Sequence, residues 1–535
     1  MTTVQLAALH ARYAARFAAL WSAAQAAAGQ THGGAAAPMP ALVETPPGDR
    51  RFAAREWIEL PWFALLKQNY LLASEYAHEL ASLAPLAEAD RRRLRFLTRQ
   101  AVDALAPTNF PGTNPEALRL ALQTGGESVA RGLVNLAADI GRGRVSMTDE
   151  SAFAVGRNLA LTPGDVVLRN DLIELIQYRA TTATVHCRPL LIVPPCINKY
   201  YILDLQPENS FVRHAVALGH TVFIVSWRNI PPELGALRWD DYLTDGVLAA
   251  IGAAKKVTGS ADVNALGFCV GGTLLACALA VLAARRDRSV ASATLLATLL
   301  DFTDPGDIGA YISDEMLAAR EPALTAGERI RGGEIAAAFA SLRANNLIWN
   351  YVVGNYLKGE TPPPFDLLYW NGDSANLPGP MFVHYLRNLY LDNRLREPGA
   401  LTMAGERIDL GAIDLPAYVL ATRDDHIVPW HGAYRTTALL GRRPTFVLGA
   451  SGHVAGVINP PEKCQRNYWV NDEVAADAPA WLAAATLHPG SWWPHWAAWL
   501  APHGGARRPA PAAVGSAAHP PLGPAPGDYV RAAAA

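Results

Sequence analysis

A cysteine set among glycines, with a carboxylate and a histidine far downstream, is the part of this 535-residue chain best suited to chemistry. Residues 263–274 read Val-Asn-Ala-Leu-Gly-Phe-Cys-Val-Gly-Gly-Thr-Leu: an apolar strand passes through Gly267-Phe268-Cys269-Val270-Gly271-Gly272 into an Ala/Leu helix. Glycine is demanded at a sharp strand-to-helix turn because the two backbones approach too closely for a Cβ. Such a turn lifts the Cys269 thiol clear of the strand, beside the first N–H groups of the helix. There it can attack an acyl group and carry it as a thioester.

A free thiol titrates near about 8.5, so a nucleophilic cysteine needs a base and a group that orients the base. His453 lies in Gly449-Ala450-Ser451-Gly452-His453-Val454-Ala455-Gly456, after an expected strand at 445–448, and its small neighbours leave room for the ring. Asp425 lies in Arg423-Asp424-Asp425-His426-Ile427-Val428-Pro429, after an expected strand at 417–421. Asp424 is the rival acid and is read as a cap or surface turn; His426 is the rival base, in a slot that suits an orienting group. An oxyanion needs two N–H donors. Val270 supplies one. The loop Val193-Pro194-Pro195-Cys196-Ile197-Asn198-Lys199 supplies the other through Cys196 or Ile197, of which Ile197 is taken. Cys196 itself and Cys277 are read as small buried hydrophobes, and the other twelve histidines, His186, His214 and His384 among them, as structural or solvated.

The elements around these residues alternate. Strand-like runs at 166–168, 172–176, 190–193, 222–225, 263–266, 293–300, 417–421 and 445–448 are mostly separated by helical stretches, as at 211–218, 240–257 and 272–286. Alternation of this kind makes a parallel sheet with right-handed crossovers. Together with the order nucleophile, acid, histidine it predicts an α/β-hydrolase fold with an inserted lid or cap and an amino-terminal helical domain. The expected boundaries are an alanine-rich leader over 1–45, the helical domain over 46–160, and a catalytic domain over 161–500. An aromatic and proline-rich lid interrupts the last of these at about 303–400. After 500, Pro, Ala and Gly dominate, which predicts a tail with little fold of its own. Within the helical domain Asn114-Pro115 reads as a helix start, Asn114 as the cap.

The formal charge of −2 gives no electrostatic grip on nucleic acid. Five cysteines, odd in number and without a CxxC pair, suit a reducing compartment and give no zinc or disulfide framework. No apolar run reaches the ~18 residues of a membrane span. The leader has Arg12 and Arg16 and no acidic residue before Glu44, as a transit peptide can, and is read instead as amphipathic or weakly ordered. No cofactor or metal motif is visible; the glycines around Cys269 lack the GK[ST] of a phosphate loop.

Several blocks taken together resemble the polyhydroxyalkanoate polymerase family in its single-subunit, class I form. They are Pro194–Leu205, Ser226-Trp227-Arg228-Asn229, Trp239-Asp240-Asp241-Tyr242, Gly267–Gly272, Trp370-Asn371-Gly372-Asp373, Asn376-Leu377-Pro378-Gly379-Pro380, Asp425-His426-Ile427-Val428-Pro429-Trp430 and Gly449–Pro460. Phe268 before the cysteine and Val270 after it match the short-chain class rather than the medium-chain one. The resemblance implies an acyltransferase that joins (R)-3-hydroxyacyl-CoA, 3-hydroxybutyryl-CoA above all, into a polyester with release of CoA. It places the nucleophile on Cys269, the acid on Asp425 and the base on His453. It implies a cytoplasmic homodimer at the surface of polymer granules, with granule-associated proteins as further partners. A cysteine thioesterase or esterase of the same fold is the alternative; a non-catalytic granule scaffold is a third reading.

Overall fold

Val, Ile and Leu runs, buried on both faces, build the central strands of one large sheet. The computed structural model describes residues 3–29, 31–32, 35–36, 38–473 and 475–533. Its strands are β1 (Gly164–Arg169), β2 (Ile173–Tyr178), β3 (Leu190–Val193), β4 (Val222–Trp227), β5 (Val263–Phe268), β6 (Val290–Leu296), β7 (Ala417–Thr422), β8 (Thr445–Gly449), β9 (Asn467–Val470), β10 (Thr486–Pro489) and β11 (Gly523–Pro524). The order across the sheet is β10-β9-β8-β7-β6-β5-β3-β4-β2-β1-β11. From β8 to β4 every pairing is parallel. The outer pairings, β8 with β9, β9 with β10, β4 with β2, β2 with β1 and β1 with β11, are antiparallel. This is an α/β-hydrolase sheet, with helices such as Phe211–Ala217 and Val270–Ala284 in the crossovers. Its core joins Leu190, Ile192, Ile224, Leu266 and Leu420 to a tryptophan cluster, Trp492, Trp493 and Trp496, packed around Phe211.

Contacts divide the chain into two units, Met1–Asp149 with Phe339–Pro364, and Glu150–Ala338 with Phe365–Ala535. The expected lid is therefore not one insertion: its middle stretch, residues 339–364, belongs with the amino-terminal helices. Polar side chains explain the exchange. Asn345 donates to Asp103 at 2.6 Å, Asn355 to the Ser146 carbonyl at 2.7 Å, and Tyr356 to Asp139 at 2.7 Å. Arg51, gripped by both oxygens of Asp49, donates to Tyr70 at 3.0 Å and to Asn345 at 3.3 Å. Helix Glu127–Arg142 is packed inside out. Ser128, Gly132 and Asp139 are buried, and a Cβ on Gly132 would stand 2.0 Å from the Tyr356 carbonyl oxygen. Its Val129, Leu133 and Ile140 face outward.

Helix Thr3–Gly29 fills most of the expected leader. It buries Leu9, Tyr13 and Leu20 in a core with Trp57, Leu65 and Leu72 of the next helices, and Arg16 pairs with Glu75 at 2.6 Å. The Asn114 side chain accepts the Ala117 N–H at 3.0 Å, capping helix Pro115–Gln123. Among the described residues no helix is long and apolar enough to cross a membrane.

The segment after 500 is not a loose tail. Arg507–Pro509 pairs with Thr184–His186, β11 extends the sheet, and Val530 is buried. Backbone hydrogen bonds hold it, and composition does not report those. At the Arg507 end His186 stacks on His220 with ring centroids 4.6 Å apart. Burial, then the neighbouring His186 and Arg507, push His220 down to about 3. The unfolded chain takes that proton near about pH 6.5, so this ring stabilises the fold above that pH and progressively less below it. Between pH 7 and 5 it is expected to contribute a loss of about 2 kcal/mol. Thermal melts of His220→Phe should show a correspondingly flatter dependence over that range than the parent; parallel curves would show that the ring does not carry it.

Candidate active site

Strand β5 ends at Phe268, helix Val270–Ala284 begins one residue later, and Cys269 alone makes the turn with φ 55° and ψ −129°. A non-glycine residue at positive φ is strained and is held only by surroundings that over-determine it. Here the Cys269 N–H donates to the Leu296 carbonyl at 2.9 Å, and the Cys269 carbonyl accepts from Gly272 N–H at 2.9 Å and from Thr298 Oγ1 at 3.3 Å. The glycines are steric necessities. A Cβ would lie 2.4 Å from Gly272 Cα if placed on Gly267, 2.3 Å from the Val193 oxygen on Gly271, and 2.0 Å from Thr298 Oγ1 on Gly272. The Val270 N–H, first in the helix, has no intrahelical acceptor and opens beside the thiol.

The carboxylate and the imidazole come from the loops after β7 and β8. Asp425 is buried; its Oδ1 accepts the N–H groups of Ile427 at 2.9 Å and Val428 at 2.8 Å, and its Oδ2 accepts from Thr422 Oγ1 at 3.2 Å. Oδ2 also lies 2.7 Å from His453 Nδ1. Phe268, next to the thiol in the chain, stacks on the ring with centroids 5.4 Å apart, and the Cys269 sulfur lies near enough to the ring to act on its charge. Burial opposes a charge on His453, yet the Asp425 carboxylate and the Cys269 sulfur together raise its proton affinity well above that of a free imidazole. The carboxylate thus steadies the ring, and carboxylate, imidazole and thiol meet at one place. Asp424 is exposed and donates its N–H to the Ser451 carbonyl at 2.9 Å. The His426 carbonyl accepts from Asp307 N–H at 3.2 Å.

The loop after β3 meets the helix start at Gly271, where Val193 and Pro194 oxygens crowd the missing Cβ. The Ile197 carbonyl is fixed by the Ala375 N–H at 2.8 Å. Cys196 is buried, and burial raises its thiol far above the ordinary range. Burial likewise pushes Cys277, inside the helix, up to about 12. Both are ill suited to act as thiolates. Sequence reasoning missed two supports: Thr298, which buttresses the turn, and Trp227, whose indole holds the Pro194 carbonyl at 2.9 Å. Trp227 stood in a noticed block without a role; nothing in the pattern near Thr298 marks it. Among the described residues no group of three His, Cys, Asp or Glu is disposed to hold a metal ion.

Comparison with known proteins follows this geometry. Residues 48–215 match the family described as Poly-beta-hydroxybutyrate polymerase (PhaC) N-terminus, and residues 189–460 match the alpha/beta hydrolase fold. The chain is 50% identical to a poly(3-hydroxyalkanoate) polymerase subunit of Cupriavidus necator, over 99% of this chain and 89% of that one. It is 43% identical to a subunit of the same name from Rhizobium meliloti, over 90% and 79% of the two chains. A poly(3-hydroxyalkanoate) polymerase of Methylorubrum extorquens is also 43% identical, over 96% and 85%.

Removing the Asp425 charge should weaken the hold of His453 on a proton and so make the ring a poorer acceptor for the proton of Cys269. Asp425→Asn is expected to slow alkylation of Cys269 by iodoacetamide at pH 7 by about tenfold or more. Mass-spectrometric rates equal to those of the parent would uncouple the carboxylate from the thiol.

Proposed function

We propose a cysteine-thioester mechanism for this chain, which belongs to the poly(3-hydroxyalkanoate) polymerase family and is an acyltransferase of polyester synthesis. The substrate is (R)-3-hydroxyacyl-CoA, 3-hydroxybutyryl-CoA first among them, and the product is a polyhydroxyalkanoate with free CoA. The observation that carries this reading is the buried Asp425–His453 hydrogen bond at 2.7 Å, with the ring stacked on Phe268 beside the strained turn of Cys269.

His453 accepts the Cys269 proton as the sulfur attacks the substrate carbonyl. The tetrahedral oxyanion is met by the N–H groups of Val270 and Ile197. Collapse breaks the bond to the CoA sulfur, which leaves with the proton from His453, and the acyl group rests on Cys269. An incoming 3-hydroxyl then attacks this thioester, gives its proton to His453, and forms the ester bond while the Cys269 sulfur departs and is reprotonated. Asp425 orients the ring and stabilises its charge, or helps it deprotonate the hydroxyl. Cysteine suits the task because a thioester keeps the acyl group activated for the second transfer, and an oxygen ester on serine would not. Water must be kept out, since hydrolysis of the thioester would make the protein a thioesterase.

The enzyme works as a cytoplasmic homodimer at the surface of the polymer granule. In support of the granule reading, Val129, Leu133 and Ile140 of helix Glu127–Arg142 are 45%, 61% and 72% exposed, a patch suited to an apolar polymer.

With 3-hydroxybutyryl-CoA the protein is expected to release CoA and deposit insoluble polymer. Cys269→Ala should lower CoA release by about 10³-fold or more. Free 3-hydroxybutyrate in place of polymer would make it a hydrolase; undiminished turnover in the variant would remove the thioester altogether.

A further inference from the structure

Lys199 is only 3% exposed, and an ammonium out of water is costly unless its donors are met. They are met by main chain: Nζ donates to the Ala532 carbonyl at 2.6 Å and approaches that of Tyr529 at 3.5 Å. Those carbonyls belong to a segment that is itself fixed. Fully buried Glu174 accepts the N–H groups of Asp528 and Tyr529 at 2.9 and 3.0 Å, and the Tyr529 hydroxyl donates to the Asn170 carbonyl at 2.6 Å. A neighbouring loop joins in: Asn229 donates to the Ala533 carbonyl at 2.7 Å and accepts the Asn376 N–H at 2.8 Å.

We infer that Lys199, clamped by residues 528–533, is a positioning residue that fixes the direction of the Ile197 N–H two residues before it; this rests on the acyl-transfer reading above. The loop is gripped from two sides. Residues 370–375 hold its carbonyls, Trp370 Nε1 donating to Lys199 O at 2.7 Å and Ala375 N–H to Ile197 O at 2.8 Å. Residues 529–532 hold its ammonium. A peptide carrying an oxyanion donor is useful only if it cannot turn, since a displacement of about 1 Å can cost about 100-fold in rate. The charge on Lys199 is thus committed to a strap of the same chain, not to a substrate phosphate. Burial lowers the proton affinity of the ammonium, with Asp373 opposing, as befits an amine held by carbonyls in place of water.

Lys199→Met keeps the stem and removes the donors. With 3-hydroxybutyryl-CoA, kcat is expected to fall about ten- to hundredfold, with KM changed less than about twofold. Alkylation of Cys269 by iodoacetamide, which needs the thiolate but no oxyanion donor, should keep its parental rate. Ending the chain after Gly527 should give the same loss of kcat, and in the Lys199→Met background no further loss. Unchanged kcat, alkylation falling in step with kcat, or additive losses would each overturn the inference. If Lys199→Met does not melt cooperatively, the shortened chain with Lys199 intact is read by kcat, KM and alkylation: unchanged kcat, or alkylation falling in step with kcat, overturns the inference. Failure of the underlying mechanism is separate: it shows as full turnover in Cys269→Ala, whatever Lys199 does.

Discussion

The closeness of three backbones at one turn governs the site. Where β5 gives way to helix Val270–Ala284, the main chain of 267 lies against that of 272, residue 271 against the loop after β3, and residue 272 against Thr298, each at a spacing that admits no Cβ. That crowding holds Cys269 at φ 55° and puts the helix start beside the loop of Cys196 and Ile197. Thiol, first helical N–H and neighbouring loop then share one small volume. The strain in a single residue is offset by a sheet whose central strands are buried on both faces.

The same crowding made this region legible. Glycines with no alternative leave a mark in sequence, as do apolar runs long enough to be buried strands: the eight expected runs all lie in or beside observed ones, from β1 to β8. The strands that went unread are those without such runs. Asn467–Val470 is half-buried throughout, Thr486–Pro489 is mostly exposed, and Gly523–Pro524 is two residues long. Their positions are dictated by the ladder of a neighbour, which a one-dimensional pattern does not contain. Asp425 and Asp424 were separable only by order in the loop; in the structure burial and the bond to His453 distinguish them.

Domain organisation was harder to read, for a related reason. The interval 303–400 is aromatic and irregular throughout, so composition suggested one lid. What divides it is the matching of single polar side chains, Asn345 with Asp103 and Tyr356 with Asp139, across more than two hundred residues of chain. The alanine-rich start and the proline-rich end were misleading in the same way. Arg16 finds Glu75, and the 528–533 segment finds Glu174 and Lys199. Low-complexity composition hides specific partners when most of the binding is done by main chain and isolated charges.

The ends of the large sheet have a consequence for how copies of this protein tolerate one another. Its outermost strands, β10 and β11, are four and two residues long, and each finishes in a proline, Pro489 and Pro524. Proline offers no N–H, and a strand this short presents too few free groups for a foreign strand to zip onto. An eleven-stranded sheet would otherwise be a template for edge-to-edge polymerisation of the protein itself. Copies of this chain brought close together can therefore stand side by side without their sheets fusing into aggregates.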